Sequence, residues 1–170
     1  MLSQVMQDAI NEQINNELLS SYSYLSMAVW CEHEQFIGSA HWMRLQSEEE
    51  HIHAMRLVDF LLARNGKVVL QPIAQPEIDF ESVVQVFDKA LAQEQIVTDQ
   101  IDGLYELAFK EKAFAALVEL EWFITEQVEE EKTAREIVHK FHMVQDDPAS
   151  LLDLDRELGQ RISEAPASNV

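Results

Sequence analysis

Four long apolar helical seams in this chain are each interrupted, at about the same height, by residues that bind metal ions. On the first segment Ile10, Ile14, Glu17, Ser21, Tyr24 and Ala28 recur at intervals of three and four. The second carries Glu50 and His53, followed by Leu57 and Phe60. Glu94 lies among Phe87, Ala90, Val97 and Ile101, and Gln127 and Glu130 lie among Leu120, Ile124, Ala134 and Ile137. A carboxylate on a core-facing stripe is costly, because a buried charge must be paired or bound to a cation. Four helices that share this cost at one level point to a bundle built around a metal.

Helix signals set the layout. Residues 3–33 read as one helix, with Ser3 as a possible cap. After a short break near 34–38, residues 39–65 form a second helix, with Ser39 as its possible cap and Asn65-Gly66 as its stop. The stretch KVVLQPIAQPEID has two prolines and no helical period, so it is a connection. Extended, it reaches roughly 40 Å, the length of a helix of roughly 27 residues. It can therefore cross the whole bundle and leave the second and third helices parallel. Further helices are expected over 81–109 and 113–143. Pro148, favoured at a first helical position, opens a short amphipathic fifth helix over 148–161. The tail, 162–170, reads as frayed. The whole is one all-α domain: a four-helix bundle over 3–143 with a long crossover and a C-terminal extra helix.

Heights test whether the seam residues meet. Glu17 lies 19 residues before the first turn at Phe36, and Glu50 and His53 lie 14 and 17 after it. Around the second turn, at Glu111, Glu94 lies 17 before and Gln127 and Glu130 lie 16 and 19 after. Both hairpins bring their polar residues to one level, within about one and a half turns. Glu136 and His139 share the Glu-x-x-His spacing of Glu50 and His53, but sit too far along and read as a solvated face. Glu48 and His51 have the spacing too, and periodicity rejects them only weakly. Glu131 also reads as solvated, since consecutive positions cannot all face one seam.

The totals remove other classes. The formal net charge of −19 excludes a nucleic-acid partner held by phosphate contacts. No run of about 18 apolar residues is present, so no membrane span is expected. The start of the chain has no secretory pattern, and the lone Cys31 fits a reducing compartment, so a cytoplasmic location is expected.

An imidazole with several carboxylates suits iron or manganese better than zinc. A symmetric two-iron bundle takes a Glu from each of two helices and a Glu-x-x-His from each of the others. Here the second pair is replaced by Gln127-x-x-Glu130. One position keeps an imidazole and the other has oxygen ligands alone, an asymmetry suited to a metal in transit.

These motifs resemble those of the ferritin family, specifically the haem-free bacterial ferritins. The matches are Asn-Glu17 with Tyr24, SEEEHIHA around Glu49, Glu50 and His53, AQEQ around Glu94, and EWFITEQVEEEK around Glu126 to Glu130. They cover almost the whole chain. The resemblance implies a ferroxidase and iron store, built as a hollow shell of twenty-four identical subunits, in which O₂ or peroxide oxidises Fe(II) and Fe(III) mineralises. By position, Glu17, Glu50 and His53 would hold the first iron. Glu50 would bridge to a second, held also by Glu94 and Glu130 with Gln127 close by. Tyr24 would lie beside the centre, and Glu49, Glu126, Glu129 and Glu130 would form an additional iron site. Haem is not expected, because Ile52 stands between Glu50 and His53 where haem-binding relatives carry Met; Met43 and Met55 read as core. Animal ferritins line their threefold channels with acids on the first half of helix four; here that stretch reads FAALVELEWF, with Glu119 and Glu121 available and the neighbouring Leu117 and Leu120 apolar. Trp30, Trp42 and Trp122 read as packing residues.

Two other functions fit such a bundle. A diiron peroxidase or oxygenase would retain both ions or carry an electron-transfer module, and the chain has no cysteine pair for a rubredoxin-like one. A purely structural bundle would pair its acids with bases, and only Arg44, Arg56, Lys132 and Arg135 stand near the seams.

Overall fold

The computed structural model describes residues 2–163. Among them five helices follow in order: α1 Gln4–His33, α2 Ile37–Ala63, α3 Val83–Lys110, α4 Phe114–Val144 and α5 Pro148–Leu158. The Ser3 hydroxyl caps α1 by accepting from the Met6 N–H at 3.1 Å. Ser82 caps α3 through Gln85 N–H at 3.2 Å, and Asp147 caps α5 just before Pro148.

Helix α2 departs from the expected start. It begins at Ile37, two residues before Ser39, and has no capping side chain of its own. A residue of α5 caps it instead. Asp155 accepts from the Gly38 N–H at 3.0 Å, the Ser39 N–H at 2.7 Å and the Ser39 hydroxyl at 2.7 Å. A carboxylate against free N–H groups at the positive end of a helix dipole is favourable. The approach is close enough to demand glycine: a Cβ on Gly38 would lie 1.7 Å from the Asp155 carbonyl oxygen.

Three helices end alike. Gln35, Asn65 and Lys112 take left-handed φ angles of 67°, 57° and 54°. The next N–H then returns to the residue five back: Phe36 to Cys31, Gly66 to Leu61 and Ala113 to Ala108. Helix α5 stops at Leu158, short of the expected 161, and residues 159–163 leave it as irregular backbone. The frayed tail falls, from 164 onward, outside the described residues.

The crossover runs the length of α1. Asn11 holds it near one end, donating to the Lys67 carbonyl at 2.9 Å and accepting from the Val69 N–H at 2.7 Å. The Ser26 hydroxyl holds it near the other, at the Glu77 carbonyl, 2.6 Å away. The connection climbs from the start of α1 to near its end, so α3 runs parallel to α2, as expected.

The core is two apolar clusters. One gathers Tyr24, Trp42, Met43, Phe87, Ala90, Ile137 and Phe141 with Leu154 and Leu158 of α5. The other gathers Ile10, Ile14, Leu57, Val97, Ile101, Leu120 and Phe123. On every bundle helix the seam polar residues fall between the two clusters. They form one polar layer across the interior.

Candidate metal centre

Each of the four helices delivers its polar residues inward because they occupy the apolar stripe. Glu17, Glu50 and Glu94 are each 1 % exposed, His53 and Gln127 4 %, and Glu130 8 %. The i,i+3 spacing of Glu50 and His53 sets the His53 Nδ1 3.6 Å from Glu50 Oε2. Ligand atoms of Glu17, Glu50 and His53 lie within 4.8 Å of one another, as do those of His53, Glu126 and Glu130. His53 is therefore common to two groups. Its ring meets Trp122 and Phe123 edge-on, with centroids 5.2 and 6.0 Å away. Trp122, expected as packing, is itself held between His53 and the Arg56 guanidinium, 4.2 Å above its ring.

The carboxylates differ in how they are satisfied. Glu17 accepts from the Gln13 amide at 2.8 Å through one oxygen, and Glu130 from the Gln46 amide at 2.8 Å. Glu94 accepts from the Tyr24 hydroxyl and from the Gln127 amide at 3.2 Å, and lies outside both ligand groups. Gln127 thus acts here as a donor that holds Glu94. The second Glu17 oxygen and both Glu50 oxygens are buried with no hydrogen-bond partner. Such atoms are expensive to bury, and a cation is what would satisfy them. Carboxylate oxygens gathered about one imidazole suit a hard or borderline divalent ion such as iron.

Electrostatics follow from crowding four acids in a dry layer. Burial, then the Glu50 charge, pushes the Glu17 carboxyl well above the usual carboxylate range. Burial, then Glu94 and Glu130, does the same to Glu50. Burial also raises Glu94, against the hydrogen bonds from Tyr24 and Gln127. Glu130 is pushed up to about 8 by burial and then by Glu94 and Glu49. Tyr24, raised by burial and the nearby acids, keeps its proton and donates it to Glu94. A divalent ion entering this layer therefore displaces protons.

The remaining acids divide. Glu126 joins Glu130 and His53, Glu129 is exposed, and Glu49 pairs with Arg161 at 2.6 Å. Glu136 and His139 are exposed, as height implies, and so are Glu48 and His51, which periodicity alone rejected only weakly. Glu131 departs from its expected solvated state: it is partly buried, accepts from the Thr98 hydroxyl at 2.7 Å and pairs with Arg135 at 3.0 Å. The four bases expected near the seams pair elsewhere: Arg44 with Glu32, Arg56 with Glu119, Lys132 with Glu136 and Arg135 with Glu131. Leu120 is core, and Glu119 is taken by Arg56.

Sequence reasoning missed Gln13, Gln46, Thr98 and Arg161. The first three lie four residues from Glu17, Glu50 and Glu94, so each was visible as a polar residue one turn away on the same stripe. Arg161 gave no signal, because it reaches the layer only through the docking of α5.

The chain is similar to known proteins along nearly its whole length. The Ferritin-like domain family matches residues 7–144. A bacterial non-heme ferritin of Staphylococcus aureus (strain USA300) is 33% identical over 161 residues, 95% of this chain and 97% of that protein. Its counterpart in Staphylococcus epidermidis is 35% identical over the same shares. An Archaeoglobus fulgidus ferritin engineered into a closed form superposes with a TM-score of 0.95 at 40% identity, covering 96% of this chain and 100% of that one. The open-pore ferritin of the same archaeon gives 0.94 at 40% identity, with 95% and 100% covered. No helix of the described residues is long and apolar enough to cross a membrane. With its fold, its polar layer and relatives along nearly its whole length, this chain belongs to the ferritin family.

Proposed function

We propose that this chain is an iron-storage ferroxidase. Iron is its substrate and cargo. The observation that carries the reading is the set of three buried, unpartnered oxygens on Glu17 and Glu50 beside His53. In this reading Glu17, Glu50 and His53 receive one Fe(II). Glu50 reaches a second, with Glu130, and with Glu94 once it leaves its Tyr24 and Gln127 donors. Two Fe(II) become two Fe(III), and their two electrons pass to O₂, which takes two protons to become hydrogen peroxide. Peroxide as oxidant would instead yield water. Tyr24 holds Glu94 and lies beside the reacting pair. Glu126 and Glu130, with Glu49 and Glu129 at the margin, are the acids of an additional iron position on the way out.

The asymmetry of the layer supports transit over retention. One imidazole, His53, stands among all the carboxylates of the layer, so only one of two ions can have it as a full ligand and the other is left with oxygen donors. We assign the chain to a homo-oligomeric shell of twenty-four subunits in the cytoplasm, where Fe(III) is laid down as mineral. Family membership and the match to ferritin structures along their full length support this assembly. Anaerobic Fe(II) loading followed by O₂ should oxidise about two irons per chain quickly and then grow a core more slowly. E50A should abolish the fast phase. A protein that forms no mineral under aerobic iron and elutes as a monomer or dimer would end the storage reading.

A further inference from the structure

Arg161 lies far from the seams in sequence, yet both ends of the residue are fixed. Its carbonyl oxygen accepts from the His41 Nε2–H at 2.8 Å. Its guanidinium lies 4.6 Å over the Trp42 ring, which Tyr24 and Phe87 pack from the core side. One arm of the fork donates to Glu49 Oε2 at 2.6 Å and the other to Gln46 Oε1 at 2.8 Å. Gln46 is fully buried, and its amide nitrogen donates to Glu130 Oε2 at 2.8 Å.

An amide can present either end to a neighbour. A guanidinium has donors only, so it binds the oxygen of Gln46 and leaves the NH₂ facing Glu130. The Asp155 cap and the Gly38 contact fix α5 against α2, and so fix where the chain after α5 can place Arg161.

We propose that Arg161 is a positioning residue for the second iron position, acting through Gln46 to hold the Glu130 carboxylate in the layer. The inference rests on the two-iron reading above. Gln46 bonds Glu130 and not Glu17 or Glu50; it stands near enough to Glu50 to bear on that carboxyl, so the first position should feel the relay less than the second. Partners that orient a metal ligand typically carry about tenfold or more in metal affinity.

Anaerobic calorimetric titration with Co(II), a redox-stable probe under these conditions, separates the two positions. The step lost in E130Q is the Glu130-dependent one. R161M keeps the stem on Trp42 and removes the fork. It should weaken that step about tenfold and leave the other within about twofold. Q46L should weaken the Glu130-dependent step as much, and the double variant should lose no more of that step than either single one, because both act on one relay. R161K, which keeps the charge but loses the planar fork that fits Glu49 and Gln46 together, is the gentler change if R161M does not fold, and should lose roughly threefold or more. An unchanged Glu130-dependent step overturns the relay. So does an equal weakening of both steps, or losses that multiply in the double variant. Wild-type protein that binds no Co(II) in the layer would instead end the two-iron reading itself.

Discussion

The buried acids make the metal-free protein less stable as pH rises, and Glu130 allows the size to be worked out. Its carboxyl has an ordinary value of 4.5 and is pushed up to about 8 in the folded chain. Between those values the folded state holds a proton that the unfolded state has lost. Rising pH therefore favours unfolding across that window, and above about 8 the full cost of the buried charge is present. At about 1.4 kcal/mol per tenfold in proton affinity, this separation is worth on the order of 5 kcal/mol. Because Glu94 and Glu49 share in raising it, removing Glu130 also relieves its neighbours, and the four acids do not add independently. The perturbation is E130Q, whose amide oxygen can still accept from Gln46. The assay is urea unfolding of chelator-treated protein from pH 5 to pH 8. Wild-type and variant should be close in stability near pH 5. By pH 8 the variant should lead by a few kcal/mol, on the order of 2–5. Curves that stay parallel across the range would refute the account of a protonated layer, since loss driven by the overall negative charge would affect both proteins alike.

Other outcomes follow from particular contacts. Both Glu50 oxygens are buried without a hydrogen bond, so E50L should raise the stability of the metal-free chain by about 1–3 kcal/mol in thermal unfolding while removing the first ion-binding step. G38A would put a Cβ 1.7 Å from the Asp155 carbonyl. It should displace α5 and cost at least about 2 kcal/mol, read as a lower urea midpoint and faster proteolysis after Val144. Lys112 holds a left-handed φ of 54°, so K112G should raise the stability measured by urea unfolding by about 0.5–1 kcal/mol with iron oxidation unchanged.

Much of this architecture is written in local patterns. The heights of Glu17, Glu50, His53, Glu94, Gln127 and Glu130 could be counted from two turns, because helical rise is regular enough to carry a level over about 19 residues. The same regularity sets Glu136 and His139 outside the layer. The crossover was legible from its prolines and length. Helix ends were legible only where chemistry marks them. Asn65-Gly66 announces a left-handed stop, whereas Gln35 and Lys112 adopt the same conformation against their intrinsic preference, forced by the packing of the hairpins. Ser39 looked like a cap because the cap of α2 is Asp155, 116 residues away. Arg161 is hidden for the same reason. Local spacing finds residues that share a stripe, and contacts made by docking one helix against another leave no period to read.

The central claim is that iron binds in the buried layer between the four helices. Crystals loaded anaerobically with Fe(II) and measured at the iron absorption edge test it most directly. The account predicts two anomalous peaks per chain, one among Glu17, Glu50 and His53 and one reached by Glu50 and Glu130. Iron found only on the acidic outer surface, with the layer empty, would contradict it.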